Sequence, residues 1–566
     1  MDTGVVRNRP ALIGAAWLRH GLLLVPLLFL LVFFFYPLLA VFAVSLWPDG
    51  QLDLSGFARI VTSDYYRETL WFTFWQAAVS TALTLALALP AAYVFVRFRF
   101  PGKSLWLALA TLPFVLPTIV VASAFSALVG PRGLLNTLLM SLFALPAPPI
   151  QLDRTLAIIL IVHVFYNVAV ALRLIAGFWA HQNPRIEEAA RVLGAHGWRL
   201  WWYVRLPLLR PAILAAAALV FIFTFTSFGV VVVLGGPRFA TLEVEVYRQA
   251  VNLFNLPVAA ALSLVQIVLM IAMLVVYTRL QKSIRLDFSA AVTVTQPPRT
   301  LSERLLVGAT LTVMSIFLFL PLAALVMTSI TVGETGLTLS YYAGLTSNPR
   351  GSVLFVPPIQ AIGNSLVFAL VTTVLAVGFG LLSAYLLVNE RSRLVRWLDP
   401  LFMLPLAVSA VTLGFGFLVA LDEPPLNLRS SALLIPLAHT LVAMPFVIRS
   451  VLPALRSIPP NVREAAQVLG ASPAVVWWRV DLPLISRGVL VGAIFAFTVS
   501  MGEFGASLFV ARPDTPTIPI AIFRLLGQPG AVNYGQALAM SVILLAVSAL
   551  GFLLIERLRT YGVGEF

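Results

Sequence analysis

Residues 184–207 have the sequence PRIEEAARVLGAHGWRLWWYVRLP, and residues 460–483 have the sequence PNVREAAQVLGASPAVVWWRVDLP. The two stretches share Pro, Glu-Ala-Ala, Gly, Trp-Trp and Leu-Pro at the same spacing. Similarity at a fixed offset is typical of an internal duplication. These stretches therefore predict a chain built from two related halves.

The duplication extends outward from these stretches. At an offset of 276 residues, residues of the first half recur in the second, among them these thirteen: His163, Arg173, Pro184, Glu188, Ala189, Ala190, Gly194, Trp201, Trp202, Leu206, Pro207, Phe228 and Gly229. Upstream the offset becomes 292, where Ala92-Tyr93 matches Ala384-Tyr385 and Leu112-Pro113 matches Leu404-Pro405. The first half therefore carries 16 extra residues, expected around 130–153.

The composition excludes most soluble classes of protein. Charged residues make up 11% of the 566 residues and hydrophobic residues 60%, whereas soluble domains average about 25% charged residues. Disorder requires low hydrophobicity, and the strands of a β-barrel are short and alternating, unlike the long apolar runs of this chain. A polytopic helical membrane protein remains.

Twelve windows are long and apolar enough to span a bilayer, for which about 20 residues are needed. Two of them contain one charge each, Arg173 and Glu503. The first follows three arginines and is too long for a cleaved signal, so we expect an uncleaved anchor. The windows are 21–48, 69–96, 104–131, 155–180, 211–237, 249–278, 305–333, 351–389, 400–421, 430–448, 488–511 and 525–555.

The basic residues set the orientation. If the N-terminus is cytoplasmic, 26 of the 37 Lys and Arg residues fall in inside segments and 10 in outside segments, as the positive-inside rule requires. The net charge of +14 then needs no nucleic-acid partner. We expect an all-α polytopic membrane protein of twelve transmembrane helices, with both termini cytoplasmic. Its two tandem six-helix halves share one orientation and comprise residues 1–280 and 305–566, joined by a cytoplasmic linker, 281–304.

Groups able to carry out chemistry are sparse. The chain has no cysteine, and its five histidines lack the HExxH spacing of zinc proteases. Gly102-Lys103-Ser104 resembles the end of a phosphate-binding loop, but Arg97 stands where that loop needs glycine. No catalytic constellation is recognisable. We expect no catalytic residue, no bound metal and no cofactor in this chain, which is therefore not expected to be an enzyme.

The duplicated stretches predict short amphipathic helices. Ile186, Ala189, Ala190 and Leu193 follow i, i+3, i+4 and i+7 spacing, as do their counterparts in the second half. Asn183 before Pro184 is typical of a helix N-cap. Gly194 and Gly470 are expected to end the helices in a left-handed turn, followed by a second short helix and then Leu-Pro.

Both stretches resemble the EAA loop of ATP-binding-cassette importer permeases. In that family the loop is a coupling helix that docks on a cytoplasmic ATPase. The alternative is an amphipathic helix lying on the membrane surface. The resemblance assigns ATPase coupling to Glu188, Ala189, Ala190, Gly194, Leu206, Pro207, Glu464, Ala465, Ala466, Gly470, Leu482 and Pro483.

The whole chain resembles the fused, double-length permeases of thiamine and iron(III) importers, through segments such as 227–237 and 501–505. This resemblance implies a bacterial inner-membrane location, two copies of a separate ATPase, an extracytoplasmic substrate-binding protein, and thiamine in preference to iron(III) as cargo. ATP would act through the partner. The alternative is an ATPase-independent secondary transporter with 6+6 spans. Residues 97–103 lack the acid typical of that class, and it leaves the two EAA loops unexplained.

Several residues are placed inside the membrane. Glu503, within the eleventh span, and its counterpart Ser227 are candidates for the substrate pathway, since a charge there is costly; a structural hydrogen bond is the alternative. Phe228 and Phe504 are further pathway candidates. The matched His163 and His439 are expected to make a helix contact rather than bind iron. Arg173 and Arg449 are expected to anchor the inner end of the fourth span of each half, with a gating role as the alternative.

Overall fold

The computed structural model describes residues 24–48, 50–282, 295–332, 336–348, 354–389, 395–422, 424 and 426–559. Helices make up nearly all regular structure in these residues. The exceptions are a short antiparallel pair, Thr331–Val332 with Gly336–Leu337, and a single bridge between Phe98 and Gln296. The all-α prediction is confirmed. The basic N-terminal segment and half of the expected linker, residues 283–294, lie outside the described residues.

The described residues contain eleven helices long and apolar enough to cross a membrane, or twelve spans if one bent pair counts as one. The polytopic prediction is thereby confirmed. The helices are Leu24–Leu46, Asp64–Arg97, Thr118–Phe143, Leu156–Ala180, Gly197–Phe225, Leu256–Gln281, Leu301–Ser329, Pro358–Val388, Leu434–Arg456, Pro473–Gly502 and Ala531–Leu558, and the bent pair is Leu398–Ala407 with Ala410–Ala420.

The third and ninth windows, predicted as continuous spans, are each broken in the middle. In the first half Lys103–Val115 ends before Leu116 and Thr118–Val129 follows. Pro117 disfavours helical backbone in the residue before it, and Leu116 is extended, with φ −69° and ψ 141°. In the second half the two helices meet at an angle of 95°. Hydropathy did not reveal these breaks because both sides of each are apolar.

The helix boundaries repeat at the offsets predicted from the sequence. Lys103–Val115 corresponds to Val395–Ala407 at an offset of 292, and Pro184–Val192 to Pro460–Val468 at an offset of 276. Between these regions the first half has an additional helix, Leu134–Phe143, where the second half has residues 421–433. The 16 extra residues therefore lie where they were expected.

The fifth and eleventh spans differ from their predicted windows, 211–237 and 488–511. Each helix starts earlier and ends earlier, at Gly197–Phe225 and Pro473–Gly502. A break follows, and then the short helices Gly229–Leu234 and Ser507–Val510. Residues near 245 and 520, expected in outside loops, form the largely buried helices Leu242–Tyr247 and Ile518–Leu526. The chain thus folds back into the protein after each break.

The remaining helices are short or lie at the ends of the spans. They are Ser55–Thr62 and Ser340–Ala343, with the 3-10 turn Gly344–Thr346. The last helix of each half runs over Leu256–Lys282 and Ala531–Arg559, and the eighth span over Pro358–Asn389. Five-residue π-helical turns occur at Leu31–Phe35, Trp201–Arg205, Arg248–Asn252 and Trp477–Asp481.

The described chain forms two compact units. One contains the described residues within 24–41, 363–512 and 550–559, and its central contact is between Leu434–Arg456 and Leu482–Gly502. The other contains residues 42–362 and 513–549, and there Asp64–Arg97 packs on Leu156–Ala180 and Leu206–Phe225. These units follow packing rather than the sequence repeat, so the division at 281–304 stays a prediction.

Candidate functional site

Each duplicated stretch folds into the short helix that the sequence predicts. The first loop helix, Pro184–Val192, begins with the Asn183 side chain accepting a hydrogen bond from the Arg185 N–H at 3.1 Å. This N-cap satisfies one of the free N–H groups of the first turn. The second loop helix, Pro460–Val468, has proline both before and at its first position. In both helices the fixed φ of proline suits the first turn.

A glycine in left-handed conformation ends both loop helices. Gly194 has φ +88° and Gly470 has φ +86°. The next N–H reaches back to the helix, from Ala195 to the Ala190 carbonyl at 2.9 Å and from Ala471 to the Ala466 carbonyl at 3.0 Å. This hydrogen-bond pattern is the Schellman motif, which favours glycine because a side chain is strained at positive φ. The predicted C-caps are confirmed.

The tips of the loop helices expose apolar side chains. Val192 is 87% exposed and Leu193 88% exposed, and Val468 and Leu469 have exposed fractions of 86% and 88%. Ala189 and Ala190 line an open groove of about 690 Å³ with Tyr203 and Pro207. Exposed apolar groups of this kind typically mark a contact surface.

The second short helix predicted after each glycine is in fact the start of the next span. Gly197–Leu200 continues through the π-helical turn Trp201–Arg205 into Leu206–Phe225, and Pro473–Val476 does the same in the second half. Pro207 lacks an N–H and its ring would clash with the carbonyl four residues earlier, so a wider turn just before it relieves the helix. Leu206-Pro207 and Leu482-Pro483 therefore lie inside continuous helices.

The candidate pathway residues lie where the fifth and eleventh spans break. Glu503, expected inside a span, instead directly follows the end of the helix at Gly502. Its buried carboxylate accepts hydrogen bonds from the Ala506 N–H at 2.8 Å, the Ser507 N–H at 2.9 Å and the Ser507 hydroxyl at 2.9 Å. In this conformation the carboxylate stabilises the turn into Ser507–Val510. Ser227, Phe228 and Phe504 are also buried.

The matched histidines hold these breaks to the neighbouring spans. His163 Nε2 lies 2.7 Å from the Ser227 hydroxyl, and its Nδ1 lies 3.1 Å from Ser80. His439 Nε2 lies 2.8 Å from Ser507 and 3.3 Å from the Glu503 carboxylate. Both ring nitrogens of each histidine therefore have partners within the protein. This geometry favours the predicted helix contact over iron binding.

Comparison with known proteins identifies the family. The sequence profile of the family described as "binding-protein-dependent transport system inner membrane component" matches residues 84–286 and again residues 376–560. The chain belongs to this family of transporter permeases. The double match agrees with the tandem duplication and with the placement of one loop helix in each matched segment.

Relatives of full length carry specific names. The thiamine transport system permease protein ThiP of Escherichia coli K12 is 28% identical over 92% of this chain and 94% of its own length. ThiP of Salmonella typhimurium LT2 is 29% identical, with coverage of 91% and 93%. The probable ABC transporter permease protein y4fN of Sinorhizobium fredii is 26% identical, with coverage of 93% and 94%.

The permease contains ion pairs that the sequence analysis missed. Arg205 pairs with Glu187 at 2.9 Å, and Arg463 pairs with Asp481 at 2.7 Å. Each joins a loop helix to the π-helical turn of the following span. Neither pair shows as an identity between the two halves, because the charges are exchanged: Glu187 corresponds to Arg463, and Arg205 corresponds to Asp481.

A second missed feature is a pair of buried carboxylates in the first half. Glu245 accepts hydrogen bonds from the Tyr65 hydroxyl at 2.5 Å and from Gln249 at 2.6 Å, and Glu243 accepts one from Gln266 at 2.7 Å. Pro519 and Ala521 occupy the corresponding positions of the second half. The buried carboxylates Glu243, Glu245 and Glu503 therefore each lack an acidic counterpart in the other half.

The structure also places the two span arginines and the glycine-lysine-serine turn. Arg173 and Arg449 were expected to end their spans, but each helix continues for about two more turns, to Ala180 and Arg456. Arg173 donates a hydrogen bond to the Leu107 carbonyl at 3.0 Å, whereas Arg449 is exposed. Gly102, with φ +73°, forms the turn that begins the helix Lys103–Val115, and a helix precedes it. This is the basic turn favoured over a phosphate-binding loop.

Proposed function

We propose that this importer permease carries thiamine across the bacterial inner membrane. An extracytoplasmic binding protein delivers the cargo, and two copies of a cytoplasmic ATPase drive its passage. Support for the cargo comes from the ThiP relatives, which align over more than nine-tenths of the chain. Thiamine is preferred to iron(III) on this ground.

The two loop helices carry the proposal of two identical ATPase copies. Their Val-Leu tips have the same exposure within about 2%, and their terminal glycines have φ values of +88° and +86°. Two copies of one protein need two equivalent docking surfaces, in keeping with the closed symmetry of most oligomers. In this proposal Val192, Leu193, Val468 and Leu469 enter apolar grooves of the two copies. This assignment places both loops, and both termini of the chain, in the cytoplasm.

The chain itself is proposed to do no covalent chemistry and to bind no cofactor. ATP hydrolysis takes place in the partner, and the energy reaches the spans through the loop helices. The alternating exposure of the pathway to the two sides then follows from closure of the ATPase pair. This arrangement assigns to the loops a coupling role and to the membrane part a pathway role.

The cargo pathway is proposed to pass the breaks that follow Phe225 and Gly502. A thiamine cation in the membrane loses hydration, which is costly without a compensating charge. Glu503 is a buried carboxylate at the second of these breaks. Ser227, Phe228 and Phe504 are proposed to border the same route. In the described conformation Glu503 is capped by the backbone of residues 506 and 507, so contact with cargo requires a change in this turn.

The proposal is tested in proteoliposomes that contain the permease, its ATPase and its binding protein. We expect uptake of radiolabelled thiamine that requires ATP and the binding protein, with no competition by iron(III). The matched control is the double variant L193D/L469D, which removes both apolar tips and should abolish ATPase association and uptake together. Uptake of iron(III) instead of thiamine would overturn the cargo assignment. Uptake driven by an ion gradient without the ATPase would overturn the importer mechanism.

A further inference from the structure

The two loop helices are tied to the following spans by ion pairs of opposite polarity. In the first half the loop helix supplies the carboxylate, Glu187, and the span supplies the guanidinium of Arg205. In the second half the loop helix supplies the guanidinium of Arg463 and the span supplies the carboxylate of Asp481. Both positions correspond at the offset of 276, so one contact is built twice with its charges exchanged.

The geometry of both pairs is close and partly desolvated. The Arg205 guanidinium meets Glu187 with two hydrogen bonds, at 3.1 and 2.9 Å, and stands 5.1 Å from the centre of the Tyr93 ring. The Arg463 Nε donates to Asp481 at 2.7 Å, and the Asp481 side chain is only 5% exposed. A two-point Arg–carboxylate contact fixes orientation as well as distance.

The exchange of charge between the two halves indicates whether these residues interact with the ATPase or with each other. Under the proposed function, two identical ATPase copies meet the two loops. If the ATPase recognised the charge at position 187 or 463, both loops would need the same sign. They have opposite signs, and in each half the sign of the span residue is reversed as well. What the two halves have in common is therefore the attraction within each pair, and not the sign of the charge that the loop helix presents to the ATPase.

The pairs lie beside the glycine turn, where the loop helix could otherwise move without moving the following span. Each loop helix is followed by a glycine in a left-handed turn, which is a natural hinge because glycine has wide conformational freedom. Only two residues link that glycine to the start of the span at Gly197 or Pro473. The ion pair bypasses the hinge, since it links the first turn of the loop helix directly to the π-helical turn of the span.

We propose that Glu187–Arg205 and Arg463–Asp481 are positioning pairs that make each loop helix and the start of the next span move as one body. They transmit the displacement of a docked loop helix to the spans. This inference rests on the proposed docking of an ATPase at the loops. It adds the connection from the docking surface to the membrane helix, which the docking surface alone does not supply.

Charge exchange within one half tests the inference. In the reconstituted complex, E187R and R205D as single variants should retain the bound ATPase but lower thiamine uptake per ATP hydrolysed by about fivefold. The double variant E187R/R205D should recover most of this loss. Because Arg191 lies 3.8 Å from Glu187 and corresponds to Gln467, the triple variant E187R/R191Q/R205D recreates the second-half arrangement and should recover the most. R463E, D481R and R463E/D481R repeat the test in the other half.

Controls separate coupling from folding and from docking. The neutral variants E187Q and R205Q avoid like-charge repulsion and should show a smaller loss in the same direction. Exchange of the exposed pair Asp64 and Arg67 should leave uptake per ATP unchanged. Single variants with normal uptake per ATP, or a double variant without recovery while the ATPase remains bound, would overturn the positioning role. Failure of the unaltered permease to bind the ATPase would instead overturn the proposed function.

Discussion

The loops and the membrane breaks of the two halves differ in how closely they match. The loop helices agree in their bounds, in the φ of the closing glycine and in the exposure of their tips. At the breaks, Glu503 of the second half corresponds in sequence to Ser227 of the first, and Glu243 and Glu245 correspond to Pro519 and Ala521. Under the proposed function, two loops that meet copies of one partner stay alike, whereas residues along the route of the cargo are free to diverge.

The largest effect is expected from charge at both loop glycines. G194D together with G470D places side chains at φ +88° and +86°, which should distort the Schellman turns and misplace both docking tips. No heavy atom lies within 4 Å of the added Cβ positions, so the permease should still insert and fold. We expect transport to fall by about tenfold or more while ATP hydrolysis continues.

The control for this prediction is G194N with G470N, because asparagine and aspartate have nearly the same shape and both tolerate the left-handed conformation, so the two variants differ in charge. These variants should lose much less transport, and each single aspartate variant should be intermediate. Normal transport by the double aspartate variant at normal expression would remove the loops from the coupling mechanism.

A smaller effect is expected at the membrane breaks, and only in one half. E503Q keeps the shape of the side chain but removes its charge, so uptake of the thiamine cation per assembled complex should fall by about fivefold. S227A should change uptake by less than about twofold. Transport in proteoliposomes, divided by the amount of assembled complex, measures both.

A purely structural role of Glu503 predicts a different outcome for E503Q. Glu503 accepts three hydrogen bonds from residues 506 and 507. If its role is only structural, weakening these bonds in E503Q should lower the melting temperature and leave uptake unchanged. Unchanged uptake per complex with reduced thermal stability would therefore return Glu503 to a local hydrogen-bonding role. Assembly with the ATPase should be normal in either case.

The smallest effect distinguishes the matched histidines by stability. H439A removes partners from Ser500, Ser507 and Glu503, whereas H163A removes partners from Ser80 and Ser227. Buried hydrogen bonds contribute about 1 kcal/mol each and more when one partner is charged. The melting temperature in detergent should fall further for H439A than for H163A. Equal losses would mean that the Glu503 contact adds nothing.

Much of this architecture is predictable from the sequence because its causes are local or repeated. Long apolar runs give the spans, and identities at a fixed offset give the two halves. Asn183, Pro184 and Gly194 give the bounds of the first loop helix, since capping depends on neighbouring residues.

The remaining features depend on contacts or breaks that hydropathy cannot detect. Residues 211–237 carry no charge, so their hydropathy does not mark the end of the helix at Phe225. The six-residue helix Leu242–Tyr247 lies between the predicted windows 211–237 and 249–278, so the sequence places it in an outside loop. The pairing of Glu187 with Arg205 spans 18 residues and depends on how the chain turns at Gly194.

Docking of both loop tips on the same cytoplasmic ATPase can be tested directly, because the chain contains no cysteine. L193C and L469C each introduce a single thiol at an exposed tip. After assembly with an ATPase that carries one cysteine beside its apolar groove, we expect both variants to cross-link to the ATPase with similar yield, and the cross-links to form from the cytoplasmic side only. Labelling of either thiol from outside the membrane, or cross-linking at neither tip in an assembled and active complex, would contradict the account.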